Sequence, residues 1–223
     1  MNLAIDIGNT AVKWAAFDGD SLVETGYGMP EAMLAKAERV LACASGDAEC
    51  DVPVLTAATP LPIKLDYKTP ATLGADRIAD ACGAWAMHRG EPSLVIDAGT
   101  CITVDFVDGN GVYHGGAIMP GLKMGLRALN TFTAKLPLVD IDNVKRAPVL
   151  GRSTEESIMA GTLGATMLAL AGYVALYREK NPKMHVLLTG GDARCLVDAG
   201  ATGWELAPHL TLTGLNEIMT HDR

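Results

Sequence analysis

The hydrophobic pattern at the start of the chain predicts three consecutive strands and then a helix. Apolar residues occupy both faces of extended segments between Asn2 and Gly28, with turn-forming residues at Gly8-Asn9 and at Asp18-Gly19-Asp20. Pro30 then opens an Ala-rich segment whose apolar residues recur at helical spacing to about Leu41. We therefore expect two hairpins followed by an amphipathic helix.

The middle of the chain repeats this order. Two short strand-like segments, Val52–Leu55 and Leu61–Leu65, lead to a helical pattern from Gly74 to about His88. A second set of three strands is predicted between Ser93 and Met119.

The rest of the chain is predicted to be mainly helical. We expect a short helix after Pro120, a long one from about Ser153 to Lys180, a strand at His185–Thr189 and helical segments at the end. Helices and strands thus alternate over most of the sequence, which indicates an α/β fold.

A weak internal repeat underlies this order. Asp6-Ile7-Gly8-Asn9-Thr10 and Asp97-Ala98-Gly99-Thr100 each place an acid and a glycine at a strand end, 91 residues apart. The next turns, at Asp18-Gly19 and Asp108-Gly109, close hairpins of nearly equal length. We interpret the repeat as two copies of one lobe, covering residues 1–91 and 92–223.

The residues at these strand ends are suited to holding phosphate. A glycine lets the backbone approach an anion closely, and a Thr or Asn adds a neutral donor. A carboxylate would repel phosphate unless a hydrated cation lies between them. Asp6 and Asp97 are therefore predicted to lie on the metal side of a nucleotide site.

Two further motifs each have two interpretations. Gly190-Gly191-Asp192 follows an apolar strand, and is either a nucleotide contact or a turn with an Asp helix cap. Asp76-Arg77 stands at a predicted helix start, where backbone N–H groups favour an anion. The alternative is structural: Asp76 is a common first-turn acid, and Arg77 only pairs with a neighbouring residue.

Composition excludes several classes of partner. With 49% apolar and 20% charged residues, the chain is predicted to be globular. Its formal charge of −8 indicates no positively charged surface that would attract nucleic acid. The five cysteines form no Cys-x-x-Cys spacing and are predicted to be reduced. The start of the chain has no basic leader, and we expect a cytoplasmic protein.

The uncharged segment Ile158–Tyr177 is long enough to span a membrane. It is rich in Ala, Gly and Thr, which favours a closely packed helix over a span. A small two-lobed protein has limited room to bury such a helix, so a symmetric partner is expected to cover it. The sequence therefore predicts a homodimer and no membrane contact.

Six motifs together resemble those of type III pantothenate kinases, in the same order. They are Asp6-Ile7-Gly8-Asn9-Thr10, the string Tyr67-x-x-Pro70-x-x-Leu73-Gly74-x-Asp76-Arg77, Asp97-Ala98-Gly99-Thr100, Gly115-Gly116-Ala117-Ile118-Met119-Pro120-Gly121, Thr133-Ala134-Lys135-Leu136-Pro137 and Gly151-Arg152-Ser153-Thr154. A Walker A loop is absent from the sequence. The region between Arg39 and Leu65 is short for the family.

The resemblance implies two ribonuclease H-like lobes of the actin-like ATPase type, each a mixed sheet with flanking helices. Such proteins hold a nucleotide between the two hairpins. The implied reaction transfers the γ-phosphoryl of ATP to pantothenate, giving 4'-phosphopantothenate in the first step of coenzyme A biosynthesis, and Asp76 is the implied base.

The resemblance also implies a role for each binding residue. Phosphate-binding residues are Asp6, Ile7, Gly8, Asn9, Thr10, Ala11, Val12, Lys13 and Thr100, and pantothenate-binding residues are Tyr67, Gly74, Ala75, Asp76, Arg77 and Thr154. Lys13 is equally well explained as an exposed strand lysine. Asp97 would bind a monovalent cation, K⁺ or NH₄⁺, and Asp6 would hold Mg²⁺ through water.

Two rival functions remain. One is another small-molecule kinase or phosphohydrolase of the actin-like superfamily. The other is a nucleotide-binding regulator, which would need both phosphate loops but no base. Asp76 and Arg77 argue against the regulator.

Overall fold

A computed structural model of the chain describes residues 1–44, 51–56, 58–141, 144 and 146–221. The residues form two compact units. Unit 1 comprises Met1–Ser93, Asp105–Gly115 and His209–Arg223, and unit 2 comprises Leu94–Val104 and Gly116–Pro208. The predicted boundary between residues 91 and 92 lies close to the first change from unit 1 to unit 2, after Ser93. The assignment of two lobes stays a prediction.

The chain forms ten strands and seven α-helices within the described residues. The strands are β1 (Asn2–Ile7), β2 (Val12–Asp18), β3 (Ser21–Tyr27), β4 (Arg39–Ala44), β5 (Lys64–Leu65), β6 (Ser93–Ala98), β7 (Cys101–Val107), β8 (Val112–Pro120), β9 (His185–Thr189) and β10 (Glu205–Leu206). The helices are α1 (Glu31–Leu34), α2 (Ala75–Met87), α3 (Leu122–Thr131), α4 (Thr154–Met159), α5 (Ala165–Lys180), α6 (Ala193–Asp198) and α7 (Leu210–Thr220). A 3₁₀ turn covers Pro70–Thr72, and a π-helical segment, Ala160–Gly164, lies between α4 and α5.

Unit 1 contains a four-stranded sheet in the order β3-β2-β1-β4. β1 is antiparallel to β2 and parallel to β4. Helices α2 and α7 pack closely because Gly83 and Gly214 have no side chain: a Cβ at either position would overlap backbone of the other helix. The core beneath them includes Ile78 and Leu215, which are almost fully buried.

The strands of unit 2 are hydrogen-bonded in the order β10-β9-β6-β7-β8. Only the start of β7, to Val104, and the end of β8, from Gly116, belong to this unit. β9 is parallel to β10. Nearly every residue of β6 and of β9 is buried, as expected for strands covered on both faces. In unit 1, β5 pairs with the start of β8, with Lys64 opposite Val112 and Leu65 opposite Tyr113.

The repeated three-strand pattern is confirmed. The first copy is β1-β2-β3 and the second is β6-β7-β8. The α2 helix, the strand β9 and the terminal helices also lie where the sequence predicted them. The two-residue strand β10 was not predicted.

The helix predicted from Pro30 to about Leu41 is wrong over its second half. α1 ends at Leu34, and Arg39–Ala44 form β4 instead. Val40 and Leu41 pair in parallel with Leu3 and Ala4 of β1. Pairing with a buried neighbouring strand outweighed the helical spacing, because β preference depends on such nonlocal contacts.

The region after β4 is less regular than predicted. Val52–Leu55 is not a strand, and contributes only an isolated bridge from Val54 to Ala42. The segment Leu61–Leu65 gives only the two-residue strand β5. Residues 45–50 and 57, with Cys50 among them, lie outside the described residues, and the four cysteines that are described are all free thiols.

The predicted long helix is present from Thr154 to Lys180, with a π-helical segment inside it. By length and composition alone, it is the single helix of the described residues that is apolar enough to cross a membrane. Only Leu170 and Val174 of α5 are buried, whereas Leu168 and Leu176 are each 61% exposed. The helix therefore presents apolar surface that unit 2 does not cover.

Candidate active site

The first predicted phosphate loop is the turn between β1 and β2. The Gly8 N–H donates to the Ala11 carbonyl, with N···O 3.1 Å, which closes the turn. Asn9 and Thr10 at its tip are exposed, while Asp6, at the end of β1, is half-buried. The turn thus places neutral polar residues outermost and the carboxylate behind them.

Asp6 lies among groups of both charge signs. It stands opposite Lys13 in the β1-β2 ladder, and its Oδ1 accepts a hydrogen bond from the Cys43 thiol, S···O 3.4 Å. Burial raises the pKa of Asp6, the Cys43 bond and Lys13 lower it, and the charge of Asp76 raises it, with a net increase. A half-buried carboxylate with a second one nearby is a site where a cation would be stabilised.

The start of α2 holds the four substrate residues predicted from Gly74 to Arg77. Gly74 is the N-cap residue, and a Cβ there would overlap the Asp76 carboxylate. Asp76 Oδ1 accepts a hydrogen bond from the Arg77 N–H, N···O 2.8 Å. Asp76 is half-buried, so its carboxylate is oriented by the helix start and remains accessible.

Arg77 is buried and paired. Its Nε lies 3.1 and 3.2 Å from Asp105 Oδ1 and Oδ2, and its Nη2 lies 2.6 Å from Oδ1. Its guanidinium carbon also lies 6.0 Å from the ring centroid of Tyr67. Arg77 is therefore paired, but its partner lies 28 residues further along the chain and is not a local one. The predicted substrate residues Tyr67 and Arg77 lie together.

Asp105 and Tyr113 were missed by the sequence analysis. The Tyr113 hydroxyl donates to Asp105 Oδ1, O···O 2.7 Å, and both side chains are fully buried. The available signal was a single acid in the middle of an otherwise uncharged, mostly apolar strand, β7. Such an acid requires a partner, but the partner is far away in sequence.

The second predicted phosphate loop, in unit 2, follows β6. The Gly99 N–H donates to the Cys101 carbonyl, N···O 2.9 Å, and the Gly121 N–H donates to the Thr100 carbonyl, N···O 3.1 Å. Thr100 is exposed, while Asp97 is half-buried at the strand end. The arrangement of acid, glycine and exposed Thr resembles that of the first loop.

Gly190 packs directly against this loop. Its φ is +93°, and a Cβ there would overlap Asp97 Oδ1 and the Ala98 carbonyl. The Asp192 N–H donates to the Ala98 carbonyl, N···O 2.8 Å. Asp192 occupies the N-cap position of α6, as the turn interpretation predicted, but its side chain makes no capping hydrogen bond and lies 3.4 Å from Lys123 Nζ.

Thr154 is exposed at the first position of α4. The preceding Ser153 caps the helix, because its Oγ accepts from the Glu156 N–H, N···O 3.2 Å. Glu156 in turn accepts from the Arg152 N–H, N···O 2.6 Å. The cap leaves Thr154 as a polar group on the helix surface.

The predicted residues thus form two groups. Unit 1 brings together Asp6, Lys13 and Asp76, and Tyr67 lies beside the guanidinium of Arg77, the residue after Asp76. Unit 2 holds Asp97, Thr100 and Thr154. Asp6 in unit 1 and Asp97 in unit 2 are the carboxylates suited to holding cations, and the charge of Asp76 adds to the negative potential at Asp6.

Comparison with known proteins identifies the family. A family model described as type III pantothenate kinase matches residues 31–176. A type III pantothenate kinase of Bacteroides fragilis is 41% identical over 241 residues, covering 100% of this chain and 98% of that protein. One from Cytophaga hutchinsonii is 36% identical over 236 residues, covering all of both chains.

Solved structures support the fold. A protein of Campylobacter jejuni described as a Baf family transcriptional activator has a TM-score of 0.64 and 19% identity, covering 99% of this chain and 98% of that one. Glucokinase from an Antarctic psychrotroph has a TM-score of 0.51 and 12% identity, covering 100% and 99%. The fold is that of the actin-like ATPases, and the chain belongs to the type III pantothenate kinase family.

Proposed function

We propose that this protein transfers the γ-phosphoryl group of ATP to the primary hydroxyl of pantothenate, with Asp76 as the base. The product is 4'-phosphopantothenate, and the reaction begins coenzyme A biosynthesis. Membership of the family supports the activity. The observation that carries the mechanism is the Asp76 carboxylate, held in one orientation at the start of α2 by Gly74 and the Arg77 N–H.

In the reaction, the hydroxyl oxygen of pantothenate attacks the γ-phosphorus of ATP, and the bond from that phosphorus to the oxygen of the leaving ADP breaks. Asp76 accepts the hydroxyl proton. A well-placed proton acceptor contributes about 10²–10⁴-fold in rate. Tyr67, Gly74, Ala75, Arg77 and Thr154 contact the substrate.

The phosphates of ATP are bound by residues 6–13 and by Thr100. Exposed Asn9 and Thr10 at the first turn, and exposed Thr100 in the second loop, support this assignment. Neutral side chains and backbone N–H groups can hold phosphate without a basic surface. This agrees with the net charge of −8.

Two cations complete the site. Asp6 would hold Mg²⁺ through water, and Asp97 would bind a monovalent ion, K⁺ or NH₄⁺. Mg²⁺ neutralises charge on the phosphate oxygens when it is bound. The negative charge of the nearby Asp76 supports a cation at Asp6, because two neighbouring carboxylates repel each other unless a positive charge compensates them.

The protein works as a homodimer in the cytoplasm, without nucleic acid or membrane partners. The exposed Leu168 and Leu176 of α5 support a partner subunit on that helix. An interface of this kind is normally closed by a two-fold axis.

A coupled assay of ADP release with and without pantothenate tests the proposal. We expect ADP formation to require pantothenate, and a panel of other hydroxyl compounds, including sugars, to give much lower rates. Folded protein that releases ADP equally well without pantothenate, in Mg²⁺ with K⁺ or NH₄⁺, would contradict the assignment. Preference for a sugar would indicate another kinase of the superfamily.

A further inference from the structure

The network around Arg77 links the start of α2 to strands β7 and β8 of unit 1. The Arg77 backbone N–H holds the Asp76 carboxylate, N···O 2.8 Å, while its guanidinium binds Asp105 through Nε and Nη2. One residue therefore connects the proposed base to a buried carboxylate in the sheet. Arg77 is 6% exposed and Asp105 is fully buried.

Two aromatic residues complete the network. The Tyr113 hydroxyl donates to the same Asp105 oxygen that accepts from both Arg77 nitrogens. The Tyr67 ring lies beside the guanidinium, and also 6.0 Å from the Tyr113 ring at an interplanar angle of 49°. The guanidinium is thus held by a carboxylate and lies near an aromatic ring, which restricts its rotation.

Arg77 and Tyr113 keep their charge states over the working pH range. Burial lowers the pKa of Arg77, but its bonds to Asp105 raise it by more, so the net change is upward. Burial and the charge of Asp105 raise the pKa of Tyr113. The guanidinium therefore stays charged and the phenol stays a donor.

A gain in folding stability alone does not explain the buried ion pair of Arg77 and Asp105. A buried ion pair is often no more stabilising than apolar residues of the same volume, because both charges lose their hydration. A bidentate pair does fix geometry, since the planar guanidinium matches a carboxylate in one orientation. Geometry is what a substrate-binding arginine requires.

We propose that Asp105 and Tyr113 are positioning residues, which hold Arg77 in the orientation that binds the substrate and supports Asp76. The inference rests on the proposed function, in which Arg77 and Asp76 contact pantothenate. Neither Asp105 nor Tyr113 needs to touch the substrate. They act through Arg77.

Tyr113→Phe is the decisive variant, because it removes one hydroxyl and keeps the buried ring. The variant loosens Arg77 but keeps its pair with Asp105, so the KM for pantothenate should rise about 3–10-fold, less than the full value of a hydrogen bond to a charged group. The KM for ATP should stay unchanged. Asp105→Asn should lower kcat/KM for pantothenate about 10–100-fold, in proportion to the charge-assisted bonds that it weakens. Tyr27→Phe, at an exposed tyrosine of β3, is the matched control and should change neither KM.

A double-mutant cycle with Arg77→Lys separates positioning from a merely structural role. If Tyr113 acts through Arg77, Tyr113→Phe should have little further effect on the pantothenate KM in the Arg77→Lys background. Independent effects that multiply would overturn the inference. If Asp105→Asn fails to fold, as judged by circular dichroism, the Tyr113→Phe cycle still decides the matter.

Failure of this inference differs from failure of the proposed function. A wild-type enzyme that needs no pantothenate overturns the function. A pantothenate-dependent wild type whose Tyr113→Phe variant keeps the same pantothenate KM overturns only the positioning role.

Discussion

Gly74 leaves the space into which the Asp76 carboxylate folds: a Cβ at residue 74 would overlap Asp76 Oδ1. Gly74→Ala should therefore displace the carboxylate and lower kcat about 10-fold or more, since a shift of about 1 Å in a reacting group can cost up to ~10²-fold. The KM for ATP should change little. Steady-state kinetics measure this, and an unchanged kcat would show that the glycine serves only the helix start.

Asp76→Asn should keep the fold and nucleotide binding but lose about 10²-fold or more in kcat, because only the proton acceptor is removed. Calorimetry of ATP binding and kinetics with saturating pantothenate measure the two effects. Asp20→Asn, at an exposed position of the β2-β3 turn, is the control variant. Near-normal turnover of Asp76→Asn would leave Asp76 as a binding or helix-start residue.

Potassium or ammonium should stimulate the reaction relative to sodium, and Asp97→Asn should reduce that stimulation. The physical reason is that Asp97 ends β6 beside the exposed Thr100, where an unneutralised carboxylate would repel phosphate. Initial rates in matched chloride buffers provide the measurement. Asp198→Asn, an exposed carboxylate of α6, is the control, and equal wild-type rates in sodium and potassium would argue against the ion site.

Light scattering at assay concentration should give the mass of a dimer. Leu176→Glu should shift the protein toward monomer, because it places a charge on an apolar surface of α5 where the residue is now 61% exposed. The wild-type chain measured at equal concentration is the reference. A monomeric wild type would end the dimer proposal.

Sharing of the substrate pocket between subunits has its own test. If Thr154 of one subunit serves Asp76 of the other, mixing Asp76→Asn with Thr154→Val subunits should restore one intact pocket in each heterodimer. The mixture should then exceed the summed activities of the two separate variants. A dimer that shows no such gain would contradict the sharing alone.

Asp108→Asn should destabilise the β7-β8 turn at neutral pH, and this effect should begin to decrease as pH falls below about 4. Burial raises the pKa of Asp108, but hydrogen bonds from His114, Val112 and Asn110 lower it by more, so the folded-state pKa lies below the unfolded value. The stabilisation is therefore present above the unfolded pKa and is lost as pH falls through the folded pKa. The Asp108 side chain is 25% exposed and lies at the surface, where solvent screens the interaction, so the expected loss is at most about 1 kcal/mol.

Thermal melts of both proteins at neutral and at acidic pH measure this difference. A melting-temperature difference that stays the same at both pH values would show that the Asp108 charge contributes nothing to stability.

Local signals carried much of the sequence-based prediction. Gly8-Asn9 and Asp108-Gly109 are turn formers between apolar runs, and the hairpins formed around them as expected. The helix predicted to Leu41 was wrong because pairing of Val40 and Leu41 with β1 is a long-range contact that periodicity does not record. The same limit hid the partners of Arg77, since Asp105 lies 28 residues away.

The site residues also divide into those marked by local sequence signals and those brought together by long-range contacts. Gly74, Asp76 and Arg77 were found because they share one helix start, where spacing and chemistry are both visible in the sequence. The approach of Gly190 to Asp97 could not be predicted, because 93 residues separate them and only the folded chain brings them together. Sequence alone therefore predicts motifs better than it predicts contacts between motifs.

The packing of α7 in unit 1 has a consequence for synthesis on the ribosome. Leu212, Leu215, Ile218 and Met219 belong to the same buried cluster as residues of β1, β2 and α2. The amino-terminal strands therefore emerge long before the helix that covers their core. Until translation reaches α7, this apolar surface is exposed, and we expect nascent chains of this protein to depend on chaperone protection during that interval.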